Sequence, residues 1–181
     1  EDELPVEVLI ALVDARELDM RLDYPANMRE LEGYATNTGG ALWRAAGQLL
    51  FGGSAKEWQL ELEQIGVAHT LVGLLRAAPY HMAQGRVCFP RDLLQLHDIS
   101  FQGLVTGRMD HVHCIPIVGE IVDLIGVHLA AARSRRAAVP RALRPLCALA
   151  TLTGSYVNCI EKVGNNPFIA RRDPGPLTRR L

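Results

Sequence analysis

The sequence predicts an all-α helical bundle, and three observations carry the prediction. Apolar residues recur at helical spacing through most of the 181 residues. Aromatic residues make up only 6% of the chain while Ala and Leu abound, which favours helix over sheet. Two Asx/Ser-x-x-Glu capping boxes and several Gly or Pro breaks punctuate the periodic runs. At 49% apolar and 22% charged, the chain is long enough to bury a core as one domain over 1–170, followed by a basic, Pro-rich tail at 171–181.

Each element follows from its residues. Pro5 to about Asp23 reads as a helix, with Val6, Leu9, Ile10, Val13 and Leu18 forming its apolar stripe. Tyr24-Pro25 breaks it. Asn27 to Glu30 is a capping box that opens a helix running to Phe51, where Gly52-Gly53 stops it. Ser54 to Glu57 is a second box, whose helix carries Ile65, Leu71 and Leu75 inward and is expected to end before Pro79. A loop over 79–90 and short helices at 91–97 and 100–108 follow. Val112 to Ala138 reads as a long helix kinked near Pro116. Its charges Glu120, Asp123 and His128 favour a buried bundle helix over a membrane span. Pro140 opens the last helix, which ends at Gly164 to Pro167.

Charge is distributed unevenly. Residues 1–130 hold 18 acids and 9 bases, whereas 131–181 hold 2 acids and 10 bases. A basic end suits an acidic protein face or an anionic membrane surface, and Arg133, Arg135, Arg136, Arg141 and Arg144 are the candidate attachment residues. The alternative is a solvated helix face. Nothing points to nucleic acid as a partner. Cys88, Cys114, Cys147 and Cys159 show no paired spacing and read as buried free thiols in a reducing compartment. The opening Glu1 to Pro5 reads as neither signal nor transit peptide. No nucleophile elbow or glycine-rich phosphate loop is present. His111, His113 and Cys114 have no closed zinc spacing, so no metal site is assigned there. Asp19 and Asp23 have the spacing of a paired-carboxylate site, but with Asp14 and Glu17 beside them they read as a solvated acidic face.

The segment from Arg76 to Leu93 resembles the second signature of the squalene/phytoene synthases. There a helix carries Arg-Asp-x-x-x-Asp, and Gly-Arg-[Val/Ile]-Tyr-Leu-Pro follows. Gly85-Arg86-Val87-Cys88-Phe89-Pro90 is similar to the second half, but Ala77 and His81 stand where the aspartates would be. Tyr34 to Leu42 is similar to the family's Tyr-x-x-x-[Val/Thr]-[Ala/Gly]-Gly run. Val122 to Arg133 looks like its late Ala-Arg helix, and Asn166-Pro167-Phe168 like its closing Asp-Pro-Phe. Within the family, Leu75 to His81 and Asp92 to Ser100 most resemble the branch of mitochondrial complex I assembly factors.

The resemblance implies an isoprenoid-synthase-like helical bundle, with the helices that hold the family's first aspartate motif having no counterpart in these residues. It also implies a non-catalytic protein at the matrix side of the inner mitochondrial membrane, without cofactor or metal, whose partners are complex I subunits or assembly intermediates. The remnant substrate cavity would be lined by Tyr34, Thr38, His69, Arg76, Ala77, Tyr80, His81 and Arg86. For Tyr34 and Thr38 the competing reading is core packing; for Arg76 and Arg86 it is structural ion pairing; for His69 it is a buried hydrogen bond. A prenyl-diphosphate-condensing transferase with an altered metal site, or an isoprenoid- or lipid-binding protein, are the alternative functions.

Overall fold

A computed structural model of the chain describes residues 6–20 and 25–169, and every described element is helical. The expected tail at 171–181 and Asp23 with Tyr24 lie outside the described residues. Helix α1 (Val6–Arg16) runs into a 3-10 turn, Glu17–Met20. Helix α2 (Met28–Ala35) opens on the expected capping box. Asn27 Oδ1 accepts from the Glu30 backbone N–H at 3.0 Å, and Glu30 reaches back to the Ala26 N–H at 2.8 Å. The reciprocal bond thus lands one residue before the N-cap, still satisfying a donor that the helix leaves open.

A π-helical turn, Thr36–Gly40, joins α2 to α3 (Ala41–Phe51). Its cause is close packing. A Cβ on Gly39 would fall 2.6 Å from the Gly66 carbonyl oxygen, so this backbone lies directly on α4. Gly52, with φ +51, ends α3.

Helix α4 (Gln59–Ala83) is the axis of the bundle and touches α2, α3 and three of the helices that follow it. It differs from the expected helix at both ends. Residues Gly52–Trp58 form a 3-10 stretch instead of its first turn, held by Ala55 and Trp58, which pack with Leu62, Val139 and Leu143 in a second small core. The Ser54 side chain of the expected capping box lies outside the described residues. At the other end Pro79 does not stop the helix, which continues to Ala83. Proline in a helix interior costs about 3 kcal/mol. Ala78 and Met82 on either side of it are buried and hold this end of the helix to the core.

Ile65, Leu71 and Leu75 face the core as expected, none more than 1% exposed. Burying each such side chain contributes about 1.5–3 kcal/mol.

Helices α5 (Arg91–Leu96) and α6 (Phe101–Val105) follow. A 3-10 turn, His111–Cys114, leads into α7 (Ile115–Arg133). Pro116 does not kink this helix. It sits in the first turn, where no N–H partner is lost. The helical run His111–Arg133, which contains α7, has the length and mean hydropathy, 1.8, to cross a bilayer. Here Ile117, Ile121, Ile125 and Leu129 are buried in the main core, and the helix packs on α4. Two 3-10 turns, Arg136–Ala138 and Arg141–Leu143, connect it to α8 (Arg144–Glu161). The expected long helices therefore end earlier and start later around Pro140. Beyond α8, Asn166 Oδ1 accepts from the Phe168 N–H at 3.0 Å, and Phe168 stacks on His111 with ring centres 4.2 Å apart. All four cysteines are free thiols.

Candidate functional site

Ala77 and His81 lie one turn apart on α4, so they share a face of one helix. Both are half-buried, and the neighbouring Tyr80 is 59% exposed and meets the His81 ring edge-on at 6.0 Å. Helix α4 then closes with a Schellman turn. The Arg86 N–H bonds the His81 carbonyl at 2.9 Å and the Gly85 N–H bonds the Met82 carbonyl at 3.0 Å. Gly85 adopts φ +73, which suits glycine at this position. Val87, Phe89 and Pro90 turn inward and are buried, while Arg86 points out. The start of α5 is fixed in turn, because the Arg91 and Asp92 N–H groups bond the Pro25 and Ala26 carbonyls. An apolar seam under this loop, lined by Leu31, Leu71, Leu74, Leu75, Cys88, Phe89 and Ile121, is packed too closely to admit a water molecule. Burial there pushes the Cys88 thiol up to about 11.

The other residues expected around a cavity occupy separate surroundings. The Tyr34 hydroxyl donates to Asp19 Oδ1 at 2.6 Å and accepts from Arg16 at 2.9 Å. Arg16 also pairs with Asp19 at 2.8 Å. Burial, reinforced by the Asp19 hydrogen bond, pushes the Tyr34 hydroxyl up to about 12. Asp19 is therefore engaged in tying the turn after α1 to α2. Thr38, only 3% exposed, donates to the Tyr34 carbonyl. The small residues after it approach α4.

His69 sits at the α3–α4–α8 junction, stacked on Trp43 with its Nδ1 3.1 Å from Thr153 Oγ1. Thr153 gives its own proton to the Leu149 carbonyl, so the imidazole must donate from Nδ1. Burial, then the nearby Arg76, holds His69 below the usual histidine range. The Arg76 guanidinium lies 3.8 Å above the Tyr156 ring, joining α4 to α8.

The basic residues also divide. Arg133 donates to the Ala150 carbonyl at 3.0 Å, bracing α7 against α8. Arg135 covers the Trp58 ring at 4.3 Å and bonds both the Glu57 carbonyl and the carboxylate of buried Glu61 at 3.1 Å. Both arginines bond to groups on other elements while remaining exposed. Arg141 and Arg144 are exposed on the α7–α8 connection and the start of α8, and the Arg136 side chain lies outside the described residues. The structural roles of Arg133 and Arg135 were not legible in the charge count, since their partners are distant in sequence. Among the described residues, no three His, Cys, Asp or Glu side chains come together as a metal site. His111, His113, Cys114 and His128 form no such group, and His128 Nδ1 bonds Gln64 while its Nε2 lies 3.2 Å from Glu32 Oε1 without a hydrogen bond.

An all-helical bundle, with the Gly85 turn closing its central helix, defines a class. The squalene/phytoene synthase profile matches residues 1–180, and the chain belongs to that family. Among its relatives, the bovine and mouse proteins named "NADH dehydrogenase (ubiquinone) complex I, assembly factor 6" are 28% and 29% identical over 162 residues, 88% of this chain. The fruit-fly homolog of that factor is 26% identical over 75% of it. The chain spans about half the length of the mammalian relatives, 47%. The fold matches the squalene synthase HpnC of Alicyclobacillus acidocaldarius with a TM-score of 0.79 at 20% identity, covering 92% of this chain and 63% of that one. It matches a dehydrosqualene synthase with a TM-score of 0.81 at 12% identity, covering 98% and 62%.

Proposed function

We propose that this chain is a non-catalytic partner of respiratory complex I, an assembly factor or accessory component acting at the matrix side of the inner mitochondrial membrane. The names of its relatives support the partner. One observation carries the absence of chemistry: the α4 face that the family resemblance assigns to paired aspartates presents Ala77 and His81. Magnesium is gripped by hard oxygen ligands. The methyl of Ala77 offers no ligand, and imidazole suits softer metals. The residues present therefore do not fit a magnesium diphosphate site. Prenyl condensation must ionise a diphosphate and needs cations on the leaving oxygens. Arg76 is laid across Tyr156 instead, and Arg86 leaves the helix in an exposed turn.

The exposed Arg141 and Arg144 are the groups best placed to meet an acidic subunit or anionic headgroups, an attraction that salt weakens. The test has two arms. The purified protein, given farnesyl or geranylgeranyl diphosphate with Mg²⁺ or Mn²⁺, should form no presqualene or phytoene product. Gentle co-purification at low ionic strength should recover complex I subunits. Product formation would overturn the non-catalytic reading, and failure to recover any complex I subunit would overturn the partner.

A further inference from the structure

Four helix ends come together at one end of the bundle. The 3-10 stretch Gly52–Trp58 joins the end of α3 to the start of α4, and the turns around Pro140 join the end of α7 to the start of α8. The small second core holds the two connections side by side, because Ala55, Trp58 and Leu62 pack with Val139 and Leu143. The first connection carries exposed apolar residues: Leu49, Leu50 and Leu60 are 57%, 65% and 66% exposed. The second carries exposed bases, Arg133, Arg135, Arg141 and Arg144, and Lys56 adds another on the first. We propose that this end of the bundle docks on an anionic phospholipid surface, with Arg141 and Arg144 meeting the phosphates and Leu49, Leu50 and Leu60 entering the headgroup layer. The inference rests on the membrane-side reading above and gives it a surface.

Charge and apolar area point the same way. Residues 49–61 and 133–144 hold six bases and two acids. One of the acids, Glu61, is buried and paired with Arg135, which leaves Glu57 as the exposed carboxylate of these two segments. A basic cluster of this kind is drawn to anionic headgroups within a Debye length of the surface. Guanidinium also matches phosphate with two parallel hydrogen bonds and is more weakly hydrated than an ammonium. Leucines that stand more than half exposed gain by leaving water for the interfacial layer. A protein partner would favour an apolar centre depleted of charge. Here leucines and bases occupy neighbouring connections, and a fluid headgroup layer takes both without a matching shape.

The test is co-sedimentation of the purified protein with lipid vesicles. No complex I subunit is present, so the outcome is separate from that of the co-purification above. Vesicles of phosphatidylcholine mixed with phosphatidylglycerol should bind the protein and release it in high salt. Vesicles of phosphatidylcholine alone should bind it at least about tenfold more weakly. Arg141→Gln with Arg144→Gln should weaken binding to the anionic vesicles roughly tenfold. Leu49→Gln with Leu50→Gln should weaken it by about the same factor. These positions are exposed, so both variants should keep the helical circular dichroism of the wild type. Equal binding to the two kinds of vesicle, or either variant binding as the wild type does, would overturn the inference. Capture on immobilised polyglutamate without vesicle binding would overturn it too, and would assign this end of the bundle to an acidic protein.

Discussion

Gly39 and Gly66 meet backbone to backbone. A Cβ on Gly66 would lie 2.2 Å from the Gly39 carbonyl oxygen, a distance that no side-chain adjustment can relieve. This crossing lets the π-helical turn lie on α4 and places Thr38 in the interior.

Gly66→Ala should therefore destabilise the protein by at least about 1–3 kcal/mol, the usual cost of overpacking. Gly73→Ala on the same helix, where a Cβ meets nothing within 4 Å, should stabilise it by about 0.5–1 kcal/mol. Urea unfolding of the two variants decides the point. Equal effects would mean that the crossing is loose.

Arg135→Gln should cost about 1–3 kcal/mol, because it leaves the carboxylate of Glu61 buried without its cation. The double variant Arg141→Gln with Arg144→Gln should change stability by less than about half a kcal/mol. Denaturant midpoints of both proteins check this, and only the double variant is suited to probing salt-dependent attachment. A result in the reverse order would remove Arg135 from the fold's support.

Tyr34 should make stability fall as pH rises above 10. Burial holds its hydroxyl up at about 12 in the folded chain, against the ordinary tyrosine value of 10.0 when unfolded. Between those values the folded state holds the extra proton, so stability is complete below 10 and is lost through 12. The buried thiols Cys88 and Cys114 titrate in the same range, so the informative quantity is the difference between wild type and Tyr34→Phe. Thermal unfolding from pH 9 to 11.5 should show a shallower decline in the variant, and parallel curves would remove Tyr34 as a cause.

How much of this could be read from the sequence depended on the range of the interaction. The Asn27 cap and the Ile65/Leu71/Leu75 face are local or periodic, and both appear as expected. The persistence of α4 through Pro79 was not legible, because Ala78 and Met82 are held by core contacts from elsewhere in the chain. Nor was the π turn, which depends on two glycines 27 residues apart meeting across helices. Tyr34 and Thr38 were recognisable as partly buried polar residues, but their partners Asp19, Arg16 and the Tyr34 carbonyl were not. Charge counting marked the basic end without showing that the exposed Arg133 and Arg135 also bond to the Ala150 carbonyl and to Glu61.

The turn at Gly85 separates two kinds of information written into one stretch of chain. In this chain Gly85, Val87, Phe89 and Pro90 halt a helix and return the backbone to the interior. Ala77 and His81 sit on the preceding turns, where a side chain can be exchanged without disturbing that route. Side chains on that face of α4 can therefore change while the path of the chain stays the same, so the glycine half of the motif speaks for architecture alone.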